Sequence, residues 1–320
     1  MAVHLLTPRM AGVLDRIQRA NRPPFHTMSP AQARAAYAAG AEVLDLRRAP
    51  LPRVEDLRLP SGDGGTRPAR LYAAHGREAG ALPLLLYLHG GGFVLGGLET
   101  HDSLCRQLAL RSGGAVVALD YRLAPEHPFP APWDDTWTAL VALQAGASAL
   151  GLDGRRIAIG GDSAGGTLAA ATALRARDEG LPLVLQLLVT PGIGDRSDSG
   201  SRRLFANGFL IDAPTVQWFF DHAVPREHRR DPRFAPIEAA EHEGLCPALL
   251  LLAECDPVVD DGIGYADRLR LSGVPVDLEI YRGVTHDFMK MGRVLPEALQ
   301  ALERAAAALR TAWNLNGDPG

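Results

Sequence analysis

Short apolar runs of strand length alternate with helical patterns through most of this 320-residue chain. In the helical segments apolar side chains recur four residues apart, as in Leu104 and Leu108. Strands buried in a parallel sheet read as continuous apolar runs, and helices usually connect them. The alternation therefore predicts an α/β fold, with a mostly parallel central sheet and helices on both faces. Residues 84–88, 115–119, 156–159, 184–189, 248–253 and 276–281 are the strand candidates.

Two earlier segments, residues 54–59 and 67–73, flank a turn-rich stretch at residues 61–65. This pattern predicts an antiparallel hairpin at the leading edge of the sheet, which then has about eight strands. An alanine-rich helix near residues 298–313 ends the alternation. We expect residues 49–194 and 234–320 to form this core.

Two segments stand outside the alternation. Residues 1–48 contain two helix starts, Thr7-Pro8 and Ser29-Pro30, and in each a capping residue precedes a proline. Residues 195–233 are inserted between the sixth and seventh core strands and hold an amphipathic stretch. Neither segment is needed to complete the sheet, so we expect an N-terminal cap segment and a cap insertion over the functional site.

Residues 161–165 form the only G-x-S-x-G motif in the chain, Gly-Asp-Ser-Ala-Gly. A predicted strand precedes the motif, and a helix of small residues follows it. At a sharp strand-to-helix turn a serine hydroxyl projects above the sheet, and the flanking glycines leave room for close packing. A glycine-rich turn without chemistry is the alternative. The flanking elements favour Ser163 as a nucleophile.

Three consecutive glycines follow the strand that ends at Leu88, in the sequence His89-Gly-Gly-Gly-Phe93. Acyl transfer needs backbone N–H donors aimed at the oxygen that becomes negative, and only glycine lets the backbone approach so closely. Consecutive glycines also cradle phosphates. The chain lacks the patterns that accompany phosphate loops, so an oxyanion loop is favoured. His89 is interpreted as a structural residue that holds this loop.

Four histidines follow Ser163, and one of them is the best candidate for a general base. His286 comes after a strong strand, through a predicted short loop at residues 282–285. His222, His228 and His242 lie in the insertion or in polar linkers. A histidine that follows a strand suits the order serine, acid, histidine.

The carboxylate that orients this base is predicted to be Asp256, directly after the strand at residues 248–253. Pro257 fixes the turn there. Asp260 and Asp261 are rivals, although acids at the start of the next helix also complement its dipole. In such a triad the histidine takes the serine proton, and the ionised aspartate stabilises the imidazolium.

Composition argues against several other classes. A net charge of −4 gives no sign of a nucleic-acid or anionic-membrane partner. The longest apolar runs are too short to span a bilayer, and no secretory signal is recognisable. Three cysteines without a C-x-x-C pair suit a reducing compartment, so we expect a cytoplasmic protein. No H-E-x-x-H motif or other recognisable metal-ligand set is present, so no metal is expected.

The chain resembles the hormone-sensitive-lipase family of α/β-hydrolases, the bacterial family IV esterases. The resemblance rests on the H-G-G-G motif, on residues 120–131 (D-Y-R-L-A-P-E-H-P-F-P-A), on residues 161–166, on residues 256–260 and on His286. It implies a serine carboxylesterase that acts on short- to medium-chain esters without a metal or organic cofactor. The implied oxyanion donors are the amides of Gly91, Gly92 and Ala164.

The sequence departs from this family at Asp287, where glycine usually follows the histidine. An additional carboxylate there is expected to alter the pKa of the base. Some relatives are small-molecule receptors or lyases, but receptors typically lose a member of the triad, and none is lost here. The strand at residues 276–281 is predicted to lie near the sheet edge, where it could pair with a second copy to form a homodimer.

Overall fold

The computed structural model describes residues 2–195 and 198–315. These residues contain an eight-stranded sheet with the strand order β1-β2-β4-β3-β5-β6-β7-β8. The strands are β1 (Arg53–Pro60), β2 (Thr66–Ala73), β3 (Leu82–Leu88), β4 (Ala115–Leu119), β5 (Leu152–Asp162), β6 (Leu185–Val189), β7 (Ala248–Cys255) and β8 (Val276–Thr285). β2 runs antiparallel to β1 and β4, and the other neighbours are parallel. The predicted α/β sheet, its leading hairpin and the edge position of β8 are confirmed.

Helices cover both faces of this sheet. They are α1 (Pro8–Arg19), α2 (Pro30–Gly40), α3 (Asp102–Ser112), α4 (Ala131–Gly146), α5 (Ala164–Asp178), α6 (Gly200–Leu204), α7 (Ala213–Ala223), α8 (Val259–Leu271) and α9 (Pro296–Ala312). Alternate side chains of β3 point to opposite faces: Leu84 and Leu86 join one hydrophobic core, and Leu85 and Tyr87 join the other. α4, α5 and α8 pack on the first core, whereas α1, α3 and α9 pack on the second.

Both predicted helix starts in the N-terminal segment are confirmed. The Thr7 hydroxyl accepts from the Met10 amide at 3.2 Å and caps α1. Ser29 and Gln32 form a reciprocal capping box at the start of α2. Because each cap satisfies amide groups that lack a partner inside the helix, the local sequence alone fixes where these helices begin.

β5 is longer than the sequence predicted. It begins at Leu152 rather than at residue 156. Leu152 pairs with Leu82 of β3. The register then shifts, and Leu84 pairs with Ile157. Charged residues between these two pairs interrupt the apolar run, which is why the first half of the strand was not recognised.

β8 continues to Thr285, so the predicted loop at residues 282–285 is wrong. Gly283 has a φ of 67°, and its amide donates to the Glu254 carboxylate at 2.8 Å. The left-handed glycine accommodates an irregularity in the β7–β8 register, after which Thr285 pairs with Cys255. A glycine that resembles a turn in the sequence is a kink within a strand.

The parallel strands bring three predicted site residues to one edge of the sheet. Ser163, Asp256 and His286 are each the first residue after their strands, β5, β7 and β8. In open α/β sheets, ligands bind outside the carboxyl ends of the strands. Among the described residues, no helix is both long and apolar enough to cross a bilayer.

We expect Gly165→Ala to destabilise the fold strongly. A Cβ on Gly165 would lie 1.9 Å from the Leu88 carbonyl oxygen, and backbone cannot move aside as a flexible side chain can. Overpacking of this kind costs about 1–3 kcal/mol or more. Gly12→Ala is the matched control, because nothing lies within 4 Å of that Cβ and alanine favours helix α1 by about 0.5–1 kcal/mol. Urea unfolding of both variants measures the difference, and equal midpoints would contradict the packing described.

Candidate active site

Ser163 sits on a strained turn between β5 and α5. Its φ of 52° and ψ of −119° are unusual for a residue with a side chain. The turn packs against the end of β3: a Cβ on Gly161 or Gly165 would lie 2.3 or 1.9 Å from the Leu88 carbonyl oxygen. Glycine is therefore required on both sides of Ser163, as the sequence predicted. The Ser163 amide donates to the Val189 carbonyl at 2.9 Å, which ties the turn to β6.

The side chains of Ser163, His286 and Asp256 form a continuous hydrogen-bonded chain. His286 Nε2 lies 2.8 Å from Ser163 Oγ, and His286 Nδ1 lies 2.6 Å from Asp256 Oδ2. The other Asp256 oxygen, Oδ1, accepts from the Val258 amide at 3.0 Å. His286 and Asp256 are buried, and Ser163 is partly exposed. With Nδ1 donating to the carboxylate, Nε2 is left to accept the serine proton.

Neighbouring carboxylates raise the pKa of His286 to about 9. Burial of the ring opposes its charged form, but Asp256 outweighs burial through its charge and its hydrogen bond, and Asp287 and Asp162 add to the effect. An imidazole in this setting binds a proton strongly. Only the neutral ring can take a proton from an attacking hydroxyl, so the raised pKa moves that ability towards higher pH.

The rival acids contact the insertion instead of His286. Asp260 Oδ2 accepts from the Ser201 amide at 2.8 Å, and Asp261 Oδ2 lies 3.3 Å from Arg202 Nη2. Both aspartates lie in the first turn of α8, where they also complement the helix dipole. Their contacts hold α6 against α8.

The other downstream histidines do not bond Ser163. His222 Nδ1 lies 2.8 Å from the Trp218 carbonyl oxygen, and His242 Nε2 lies 2.9 Å from that of Pro236. His228 stacks on Phe129 with 5.3 Å between ring centroids. Each of these rings therefore has a structural contact away from Ser163.

The glycine loop after β3 adopts a conformation that other residues rarely reach. Gly91 and Gly92 have φ values of 123° and 61°. In residues 2–195 and 198–315, the amides of Gly91, Gly92 and Ala164 donate no hydrogen bond. They are three unused donors, two from this loop and one from the N-terminus of α5, where the helix dipole also favours negative charge.

Asp162 joins this loop to the serine turn, a role that the sequence motifs did not indicate. Its Oδ1 accepts from the Gly90 amide at 3.1 Å and from the Tyr87 hydroxyl at 2.7 Å, while Oδ2 lies 3.2 Å from His101 Nε2. Burial opposes ionisation, but His101, Lys290 and these donors hold the pKa of Asp162 below its usual range. The available signal was a carboxylate at the end of a strand of apolar and small residues, since a buried charge needs partners.

His89 is buried and structural, as predicted. Its Nδ1 lies 2.8 Å from the Gly90 carbonyl oxygen, and its ring stacks on Tyr121 at 4.2 Å between centroids. The Tyr121 hydroxyl donates to the His89 carbonyl at 2.6 Å. Burial lowers the pKa of His89 to about 3, so the ring is neutral near pH 7.

Asp287 occupies a left-handed position, with φ 60° and ψ 10°. Glycine is the usual residue in such a position, and a side chain there adds strain. Asp287 is partly exposed, although every other residue from 283 to 292 is buried. Asp287 is therefore the one partly exposed residue in this stretch, which also carries His286. In the part of the chain that the structure describes, no three His, Cys, Asp or Glu side chains cluster as metal ligands.

Comparison with known proteins identifies the family. Residues 85–290 match the model of a protein family that is described as having the α/β-hydrolase fold. This chain belongs to that family. Its relatives include the ethyl acetate hydrolase of Pseudomonas putida, 38% identical over 315 residues, covering 95% of this chain and 98% of the relative. The carboxylic ester hydrolase LipN of Mycobacterium tuberculosis is 40% identical over 265 residues, covering 80% of this chain and 70% of LipN.

Solved structures of α/β-hydrolases superpose on nearly the whole chain. A serine-to-alanine mutant of the α/β hydrolase LAE6, from the metagenome of Lake Arreo, has a TM-score of 0.93 and 37% identity, covering 97% of this chain and 99% of LAE6. The esterase of Pyrobaculum calidifontis has a TM-score of 0.88 and 35% identity, covering 96% of this chain and 98% of that one. Together with the relatives, they confirm the predicted resemblance to the hormone-sensitive-lipase family.

We expect Asp287→Asn to lower the pKa of His286. Asparagine tolerates the left-handed conformation, so the substitution removes a charge that favours the imidazolium and leaves the backbone in place. NMR titration of the imidazole measures the change. Asp260→Asn is the control, since that carboxylate contacts Ser201 and is expected to leave the pKa of His286 unaltered. An unchanged pKa in Asp287→Asn would contradict the electrostatic interaction described here.

Proposed function

We propose that this α/β-hydrolase cleaves short- to medium-chain carboxylic esters through Ser163, His286 and Asp256, with an acyl-enzyme intermediate. Relatives that cover most of this chain are named as ester hydrolases, carboxylesterases or esterases. The protein is therefore a serine ester hydrolase. The observation that carries the proposed roles is the chain of 2.8 and 2.6 Å hydrogen bonds from Ser163 through His286 to Asp256.

In the first half of the reaction, Ser163 becomes acylated. Its Oγ attacks the ester carbonyl carbon while its proton moves to His286 Nε2. The carbonyl π electrons move to the oxygen, giving a tetrahedral oxyanion. When this intermediate collapses, the bond to the alcohol oxygen breaks, and His286 protonates the leaving alkoxide. Asp256 stabilises the transient imidazolium and remains ionised.

In the second half, water replaces the alcohol. His286 Nε2 takes a proton from the water as its oxygen attacks the acyl carbon. The second tetrahedral intermediate collapses, the acyl–Oγ bond breaks and the proton returns to Ser163. The products are a carboxylic acid and free enzyme, and no redox or metal step is needed for the balance.

The oxyanion of both intermediates is assigned to the amides of Gly91, Gly92 and Ala164. Their support is the positive φ of the two glycines and the absence of any other acceptor for the three amides among the described residues. Removing one such donor typically lowers kcat by about 10²–10³-fold.

The cap assignment concerns residues 1–48 and 195–233, around a core of residues 49–194 and 234–320. Phe219 of α7 lies directly over the oxyanion loop, because a Cβ on Gly92 would lie 2.2 Å from its ring. The two cap segments also touch, since His26 Nδ1 lies 3.2 Å from Thr215 Oγ1. The bulky Phe219 ring takes up space next to the oxyanion loop, and the Pseudomonas putida relative is named for a short ester. Both observations favour short acyl groups.

A panel of p-nitrophenyl esters from acetyl to palmitoyl tests this function. The wild type is expected to turn over short and medium chains best, because the Phe219 ring occupies space beside the oxyanion loop. Ser163→Ala is the control for background hydrolysis. Activity that rises steadily towards palmitoyl would contradict the acyl preference, and no turnover by folded wild type would contradict the enzyme assignment.

The assigned roles predict a particular pattern of losses. Ser163→Ala and His286→Ala each lower kcat by about 10⁴–10⁶-fold, and the double variant is no worse, because the residues act as a unit. Asp256→Asn lowers kcat by about 10⁴-fold, since the tautomer of His286 is no longer fixed. Asp260→Asn is the matched control and is expected to be mild. If Asp260→Asn proves the more damaging change, the acid is misassigned.

Two further predictions concern the protein's surroundings. We expect a second copy to pair along the edge strand β8, so that light scattering gives twice the mass of one chain; the mass of a single chain would contradict this dimer. A cytoplasmic location stays a prediction from the cysteine content. All three cysteines are free thiols in the structure.

A further inference from the structure

Arg34 of helix α2 binds the segment that follows the oxyanion glycines. Its Nε donates to the Val94 carbonyl at 2.8 Å, and its Nη2 donates to the Ala124 carbonyl at 2.6 Å. The guanidinium also forms a bidentate pair with Glu126, at 2.9 and 2.6 Å. One side chain from the N-terminal segment thus holds two separate backbone positions of the core.

The Val94 position is mechanically close to the oxyanion glycines. The amides of Val94 and Leu95 both donate to the Gly91 carbonyl, at 3.1 and 2.8 Å. The Ala124 amide donates to the Phe93 carbonyl at 2.9 Å. A shift of the Val94 carbonyl would therefore be passed to Gly91 through one hydrogen bond, and Arg34 fixes that carbonyl.

One turn further along α2, Tyr37 holds the other catalytic loop. The Tyr37 hydroxyl accepts from Lys290 Nζ at 2.9 Å, and that ammonium lies 4.9 Å from the Tyr37 ring centroid. Lys290 is buried and follows His286 by four residues, on the same short loop. Its backbone amide donates to the Asp287 carbonyl at 3.0 Å, so the lysine is bonded to the residue next to the base.

We propose that helix α2 is a strut between the oxyanion loop and the loop of the base, with Arg34 and Tyr37 as positioning residues. Residues three apart lie on the same face of a helix, so the contacts of Arg34 and Tyr37 come from one rigid helix face. The inference rests on the proposed function, because it assigns α2 the task of keeping the oxyanion donors and His286 at a fixed separation.

Chemistry and exposure both favour positioning over bulk stability. The Arg34–Glu126 pair lies near the surface, with 30% and 56% of the side chains exposed, and exposed pairs contribute little to stability. The planar guanidinium reaches Val94, Ala124 and Glu126 together, which an ammonium on a flexible chain cannot reproduce. A misplacement of about 1 Å at a reacting centre can cost about 100-fold in rate.

Arg34→Lys is the decisive variant, since it keeps the positive charge and removes the planar guanidinium with its several donors. We expect kcat on p-nitrophenyl acetate to fall by about 10- to 100-fold, with KM within about threefold. Each kcat is divided by the active-site concentration from phosphonate titration, so misfolded protein is not counted. The matched control is Arg19→Lys, because the exposed Arg19 side chain pairs with Asp15 of the same helix and the substitution is expected to leave kcat unchanged.

Binding of a trifluoromethyl ketone separates positioning from a general structural effect. Such a ketone forms a tetrahedral oxyanion on Ser163, so its affinity is expected to fall by the same factor as kcat/KM. An unchanged kcat per active site, or a loss in KM alone, overturns the proposal. If instead the wild type and Arg19→Lys fail to hydrolyse the ester, the proposed function has failed, and the strut proposal fails with it.

Tyr37→Phe tests the second grip. It removes only the hydroxyl and keeps the ring that packs edge-on against Phe25. We expect a smaller fall in kcat, about 3- to 10-fold, and a combined loss in Arg34→Lys/Tyr37→Phe that is less than the product of the two. Losses that multiply would mean two independent contacts and would overturn the single strut.

Discussion

The backbone at the carboxyl end of β3 lies directly against the turn that carries Ser163, with no side chain between them. Gly161 and Gly165 face the same Leu88 carbonyl oxygen, and a methyl group at either position would collide with it. Because of this contact, the glycine loop that follows Leu88 begins beside Ser163. The unused amides of Gly91, Gly92 and Ala164 lie on the two segments that meet here.

Asp162 adds a polar bond to this backbone contact. Its carboxylate accepts a hydrogen bond from the Gly90 amide, and Asp162 itself directly precedes Ser163 in the chain. The same carboxylate contributes to the negative field that, together with Asp256 and Asp287, raises the pKa of His286. The residue that fixes the distance between loop and turn therefore also affects the pKa of His286. Lys290 is the buried cation in this group, and helix α2 holds it through Tyr37.

Much of this arrangement was readable from the sequence because it depends on local patterns. The G-x-S-x-G turn, the H-G-G-G loop and the capped starts of α1 and α2 are each specified by neighbouring residues. The apolar alternation predicted the mostly parallel sheet and its leading hairpin, but not the order in which the strands lie. The sequence favoured Asp256 as the acid over Asp260 and Asp261, and only the structure shows that Asp260 contacts Ser201 of the insertion.

The contacts that sequence could not predict join residues far apart in the chain. Arg34 meets Glu126 across 92 positions, and Asp162 meets Gly90 across 72. Nothing in the residues near Arg34 distinguishes it from an exposed helical arginine. The extension of β8 was missed for a different reason, since Gly283 reads as a turn unless the partner strand and its irregular register are known.

Reaction with an organophosphonate is the most direct test of the central claim, that Ser163 is a nucleophile activated by His286. Intact mass and peptide mapping of the wild type are expected to give one adduct per chain, on the peptide that contains Ser163. His286→Ala should label far more slowly, and Ser163→Ala should not label. A folded wild type that gives no adduct would contradict this claim. An adduct that forms on another residue, at the same rate in His286→Ala as in the wild type, would also contradict it.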